Sequence, residues 1–301
     1  MAGMERRAHS IAELAQLRQK FAPSETQAAA ASPLEARPSD VIITPYGKCG
    51  TTMMQQMFHQ LRTASQGGDM DFDDISRVVP WIETAAVLDL DINAPQIAQP
   101  RGFKSHLDYE SLPAGARYVV TLRDPNEAFV SMYHFFSGWL FEPGTIELEE
   151  FLPVWLMGGP SGINYFQHLL SWWARRKAAD TLLLDYRWVT ANKRQSAAML
   201  ADICGLPADD AALDLAEHRT SRSFMVEHKA PFADRMMRLM SEKKAGVPAG
   251  SDSAKVRSKD AERRALPQSI VDAIGAAWAK QVQPVTGHND YASLAADLTA
   301  P

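Results

Sequence analysis

The chain has 301 residues, 46% of them hydrophobic and 22% charged, with a formal net charge of −5. That length and apolar content can bury a substantial core, and they exclude a globally disordered or fibrous chain. The acidic balance argues against a nucleic-acid partner, so any polyanionic ligand needs a local basic cluster. Only Cys49 and Cys204 occur, far apart and without metal-ligand spacing, which suits a reducing compartment and no bound metal. No apolar run approaches the roughly 18 residues that span a bilayer, and the N-terminus lacks a signal-peptide apolar stretch. The expectation is a cytoplasmic protein without membrane insertion.

In chain order, residues 8–21 predict an amphipathic helix with Ile11, Leu14, Leu17 and Phe21 along one side, a face suited to peripheral packing. Residues 22–39 are rich in Ala, Pro, Ser and Glu and read as a surface linker. The organisation expected is an N-terminal helix and linker over 1–39 and a single domain over 40–301, without internal repeats. The domain opens on Asp40–Leu61, DVIITPYGKCGTTMMQQMFHQL. Val41 to Thr44 reads as a short strand, and Met54, Met57, Phe58 and Leu61 recur at the spacing of a buried helix face. The polar segment between them therefore sits at a helix N-terminus, where unpaired N–H groups and the helix dipole favour an anion. Gly47 and Gly50 let the backbone curl closely, Thr51 and Thr52 add hydroxyls, and Lys48 adds a full charge. A Walker A loop is disfavoured, because Lys48 precedes Gly50 rather than following it. The bland alternative is a Gly-Thr turn with an incidental lysine.

Lys48-Cys49-Gly50-Thr51-Thr52 resembles the 5′-phosphosulfate loop of the PAPS-dependent sulfotransferases, whose usual form is close to YPKSGTTW. The resemblance implies that Lys48, Cys49, Gly50, Thr51, Thr52 and Met53 bind 3′-phosphoadenosine 5′-phosphosulfate (PAPS) or its product PAP, with Lys48 on the bridging oxygen. Cys49 replaces the usual serine. Met53 replaces the tryptophan that packs on adenine.

Further matches follow. Val79-Pro80-Trp81-Ile82-Glu83 resembles the family's Pro-aromatic-Leu-Glu segment beside the acceptor pocket, which makes Trp81 an acceptor-binding candidate as well as an ordinary core residue. Phe103-Lys104-Ser105-His106, with Leu112-Pro113 after it, resembles a strand ending in a KTH-like triplet. There the histidine is the catalytic base, which implies His106 in that role and Lys104 beside it. Imidazole titrates near neutral pH, as activation of a hydroxyl requires. Tyr118 to Leu122 reads as a central strand, Asp124 as a cap and Pro125 as a first helical residue. The stretch Arg123-Asp124-Pro125 with Val130-Ser131-Met132-Tyr133-His134-Phe135 resembles the family's RNP…AVSxYxHF segment, implying that Arg123 and Ser131 hold the cofactor's 3′-phosphate. Arginine's planar fork suits two phosphate oxygens; a buried Arg123–Asp124 pair is the structural alternative.

Phe135, Phe136, Trp139, Leu140 and Phe141 form an aromatic exit from that helix, with Phe135 and Trp139 as further candidates for the acceptor cavity or the core. Helices are expected at 147–157, 163–177, 192–204 and 267–282, with Trp172 and Trp173 against the sheet. Thr181 to Asp185 predicts a buried strand before Tyr186, whose counterpart in the family reaches adenine. Ser223-Phe224 resembles the TSF element near the purine, with Arg222 in place of threonine. Residues 229–264 read as a mobile lid, within which Arg257 stands where the family places a second 3′-phosphate arginine, although the flanking glycines are missing.

Strands alternating with helices imply an α/β fold, with a mostly parallel central sheet flanked by helices, a P-loop-like three-layer sandwich that binds ligands at its strand carboxyl ends. The resemblance, over about residues 40–265, implies transfer of a sulfuryl group from PAPS to a hydroxyl, or less readily an amine, of a small apolar molecule. Two other readings remain open: a magnesium-dependent small-molecule kinase, and a PAP-binding protein of this kind without activity. A homodimer is compatible with this reading.

Overall fold

Four short segments, three of them rich in β-branched residues or leucine, form the centre of the protein: β1 (Val41–Ile43), β2 (Gly102–Lys104), β3 (Arg117–Leu122) and β4 (Thr181–Asp185). The computed structural model describes residues 7–158, 162–250 and 266–299. The strands run parallel in the order β2-β1-β3-β4, with Ile43 opposite both Lys104 and Val119. Because successive side chains point to opposite faces, each strand feeds two layers. Ile42, Phe103, Tyr118, Val120 and Leu122 enter one apolar cluster. Val41, Ile43, Val119 and Leu184 enter the other, with Met54, Met57, Phe58 and Leu61 of the loop helix Thr51–Arg62. A parallel sheet buried on both faces by helices is the expected three-layer arrangement.

From β1 the chain passes to β2 on one side, and β3 lies on the other. The crevice outside the carboxyl ends of β1 and β3 is therefore a topological switch point, the usual ligand site of open α/β sheets. The Tyr46–Gly50 turn and Arg123 flank it.

The N-terminal helix forms at Ile11–Gln19 with Ser10 as cap, and buries Leu14 and Leu17 in the first cluster. The linker differs from expectation. Residues Glu25–Ala30 form a helix closed by a capping box between Ser24 and Gln27, a signature present in the sequence but hidden by its alanine-rich, polar surroundings. Helices at Asp210–Arg219, Arg222–Glu227 and Tyr291–Thr299 also arise where no element was expected. The segment read as a mobile lid contains a packed helix, Arg235–Ala245, in which Met240 and Ser241 are buried. Ser241 Oγ accepts the Trp139 indole N–H at 3.3 Å, so tertiary packing orders at least this part of the segment. Arg257 lies outside the described residues.

Candidate functional site

The turn after β1 is held by its own backbone and by β3. Cys49 N–H donates to Tyr46 O at 3.0 Å, and the Thr121 hydroxyl donates to Cys49 O. Gly50 is the N-cap of the loop helix at φ +101°, and no side chain caps that helix. A side chain at Gly50 would strike Tyr186 Cδ2 at 2.7 Å, so glycine is required by conformation and by space. Lys48 also has a positive φ of 70°, a sparsely populated conformation for a lysine and one often concentrated at ligand-binding turns. Thr51 Oγ1 is buried without a hydrogen-bond partner. An uncapped helix N-terminus, an orphaned hydroxyl and a glycine cradle together make a receptor for an anion.

The two sides of the Cys49 residue do different work. Its backbone shapes the cradle, while its thiol is buried and sits 3.9 Å from Gly47 O. Burial pushes that thiol up to about 12, against the pull of the Arg123 guanidinium, so it stays protonated at neutral pH. Met53 is likewise buried, in the apolar cluster against which Tyr186 and Trp188 pack.

His106 follows β2, the neighbour of β1, and its ring is fastened to the start of the turn. Nδ1 lies 2.7 Å from Pro45 O. A carbonyl only accepts, so Nδ1 carries the proton, and in the neutral ring the lone pair belongs to Nε2. The His106 backbone N–H donates to Glu83 Oε1 at 2.7 Å, and Trp81 meets the imidazole edge-on at 5.1 Å. Lys104, 1% exposed, places its ammonium 3.6 Å from the Trp81 ring centroid and 3.7 Å from Asp234 Oδ1. Trp81 thus contacts both His106 and Lys104. Asp234 was not anticipated, because nothing in the sequence links residue 234 to residue 104.

Arg123 continues β3. Its Nη1 donates to Lys48 O at 3.1 Å, its guanidinium lies 4.8 Å from the Tyr186 ring centroid, and Nε donates to Glu127 at 3.1 Å. The structural alternative of an Arg123–Asp124 pair is therefore corrected: Asp124 turns away to cap the helix Pro125–Phe136 by accepting from Asn126 and Glu127 N–H groups. One turn along a helix brings residue 127, not its neighbour 124, beneath the arginine. Ser131 lies on this helix, partly exposed.

Other candidates have resident roles. Phe135 is buried and carries the Lys48 ammonium 4.0 Å above its ring, while Trp139 packs on Phe135 at 5.1 Å and bonds Ser241. The Phe224 ring stacks on His228 at 4.1 Å and meets His218, and Ser223 pairs with Ser221. Among the described residues no cluster of three or more His, Cys, Asp or Glu is arranged to hold a metal ion, and no helix is long and apolar enough to cross a membrane.

A parallel α/β sandwich with an anion cradle at its switch point defines the general class, a P-loop-like fold. Residues 38–269 match the family described as Sulfotransferase domain, so the chain belongs to that family. It is 27% identical over 203 residues to Sulfotransferase 1B1 of Mus musculus, covering 64% of this chain and 68% of that one. It is 24% identical over 200 residues to Sulfotransferase 6B1 of Danio rerio, covering 65% and 66%. The fold resembles that of retinol dehydratase, solved in complex with androsterone and inactive cofactor PAP, at a TM-score of 0.67 and 15% identity over 93% of this chain and 96% of that one. It also resembles mouse sulfotransferase SULT7A1 complexed with PAP, at a TM-score of 0.62 and 18% identity over 92% and 95%.

Proposed function

We propose that this chain moves a sulfuryl group from PAPS to the hydroxyl of a small, apolar molecule in the cytoplasm, with His106 as general base. The observation that carries the reading is the bond between His106 Nδ1 and Pro45 O, which fixes a basic nitrogen at a set distance from the anion cradle. The residues fit the donor: the orphaned Thr51 hydroxyl, the Gly50 turn and Lys48 suit its phosphosulfate end. Bound PAPS supplies the sulfuryl group and departs as PAP.

In this reading His106 Nε2 removes the acceptor's hydroxyl proton as attack proceeds, since an alcohol is a weak nucleophile until then. Lys48 and Lys104 offset the negative charge that develops between donor and acceptor, and fixed charges in a dry site do so at little reorganisation cost. Thr51, Thr52 and the backbone of Cys49 and Gly50 hold the 5′ end. Arg123 and Ser131, with Arg257, hold the 3′-phosphate, which distinguishes PAPS from ATP. Tyr186, Met53, Ser223 and Phe224 border the purine, and Trp81, Phe135 and Trp139 border the acceptor.

Incubation with sulfur-labelled PAPS and a panel of hydroxylated aromatic and alicyclic acceptors tests the reaction. His106→Ala is expected to keep PAP affinity while transfer drops by roughly a hundredfold or more. Turnover equal to wild type would remove His106 from the mechanism. Tighter binding of ADP with Mg²⁺ than of PAP would favour phosphoryl transfer instead.

A further inference from the structure

The helix Tyr165–Ala174 sends three polar groups from one face to three different strand ends. Tyr165 O–H donates to Arg123 O just past β3, His168 Nε2–H donates to Thr44 O just past β1 at 3.0 Å, and Trp172 Nε1–H donates to Leu107 O beyond β2 at 3.3 Å. The spacing of three and four residues puts these side chains on one helical face. All three are essentially removed from solvent, at 1%, 0% and 0% exposure. Leu107 O also accepts the Thr44 hydroxyl at 2.9 Å, which ties the ends of β1 and β2 to each other.

Each acceptor carbonyl adjoins a different functional segment. Arg123 O belongs to the arginine itself, Thr44 immediately precedes the cradle, and Leu107 is the residue after His106. These carbonyls lie where the β-ladder ends, so they need partners from outside the sheet. Supplying all three from one rigid helix, itself closed by an Asn164–Gln167 capping box, fixes the arginine, the cradle and the base relative to one another. We propose that Tyr165, His168 and Trp172 are positioning residues that set the mutual geometry of the donor and acceptor halves of the site, an inference that rests on the function proposed above. Tyr165 serves donor binding, Trp172 serves the base, and His168, at β1 between the other two strands, serves both.

A role confined to satisfying buried carbonyls lowers stability alike from all three positions, whereas positioning separates them. Tyr165→Phe is expected to weaken PAP binding by about fivefold while leaving kcat within about twofold. Trp172→Phe is expected to leave PAP binding unchanged and to lower kcat by about tenfold at constant acceptor KM. His168→Leu should show both losses, and His168→Gln, which keeps a side-chain N–H near the Nε2 position, should recover most of them. Amide hydrogen exchange on the unliganded variants provides a readout independent of activity, with Tyr165→Phe accelerating residues 123–127, His168→Leu residues 45–50, and Trp172→Phe residues 106–109. Equal changes in all three segments, or none, with uniformly lowered melting temperatures, would overturn the proposal. If the wild-type protein neither binds PAP nor transfers sulfate, the functional reading fails, and the exchange pattern still decides whether the helix positions the three segments.

Discussion

Lys104 and Asp234 form an almost fully buried ion pair, Nζ to Oδ1 3.7 Å, beneath the Trp81 ring. Asp234 sits at φ +53° ahead of the helix Arg235–Ala245, so the pair joins β2 to a segment 130 residues away in sequence. A carboxylate this close to Lys104 opposes the approach of an anionic donor. Asp234→Asn is therefore expected to tighten PAP binding by several-fold while lowering the melting temperature, since breaking a buried pair leaves a charge uncompensated. Isothermal titration and thermal melts check both directions; weaker PAP binding by a folded variant would sink this account.

Arg123 does two jobs at once, bracing Lys48 O and, in the proposed reading, holding the 3′-phosphate. Arg123→Ala is expected to raise the PAP dissociation constant by about tenfold or more, as a hydrogen bond to a charged group is worth about 1.5–3 kcal/mol. Arg123→Lys should recover little, because a point charge lacks the planar fork that reaches carbonyl and phosphate together. Full recovery by lysine would show that charge alone suffices.

Gly50→Ala is expected to disable the cradle. The new methyl would meet Tyr186 Cδ2 at 2.7 Å and Thr121 Oγ1 at 3.1 Å, and φ +101° strains any L-residue. The cost is about 1–2 kcal/mol of stability from the backbone alone. PAP should also fail to raise the melting temperature of the variant. A normal PAP-induced shift would show that the loop tolerates the side chain.

Acid sensitivity should come from two buried histidines. Burial pushes both His59 and His168 down to about 4, from a usual value of 6.5. For His59 the nearby Arg62 adds to this, and the Asp69 carboxylate opposes it. The neutral state of His59 agrees with its bonds, since Nδ1 accepts from Arg62 Nε at 3.1 Å and Nε2 lies 2.8 Å from Asp69. A group that binds protons less well when folded contributes stability that is complete above pH 6.5 and declines as pH falls toward 4. Each histidine should take away about 2 kcal/mol between pH 7 and pH 5. Urea midpoints at the two pH values should show this loss in the wild type and a smaller one in His59→Gln and His168→Gln; an unaltered pH dependence in both variants would refute it.

Much of the site was legible because its parts lie in short contiguous runs with local causes. The strand, glycine turn and helix over residues 41–62, the Asp124–Pro125 helix start, and the helix stop at Gly205 are set by neighbouring residues, and the structure forms each of them. Among eight histidines, His106 stood out by its place at a strand end beside Lys104 and after a loop resembling the phosphosulfate loop, and the structure sets it two residues past β2. The linker helix Glu25–Ala30 and the helix Arg235–Ala245 were missed for a different reason. The first is too short to show periodicity, and the second reads as polar and glycine-flanked until packing against Trp139 is known.

The sequence by itself determined the family, the parallel α/β architecture and the strand, glycine turn and helix of the candidate cradle, because backbone conformation and hydrophobic periodicity act over a few residues. Only the tertiary structure decided which distant groups meet: Arg123 with the Lys48 carbonyl, Lys104 with Asp234, and one helix face with three strand ends. Those contacts join residues far apart in the chain, and their partners are selected by the way layers pack, which no local pattern encodes.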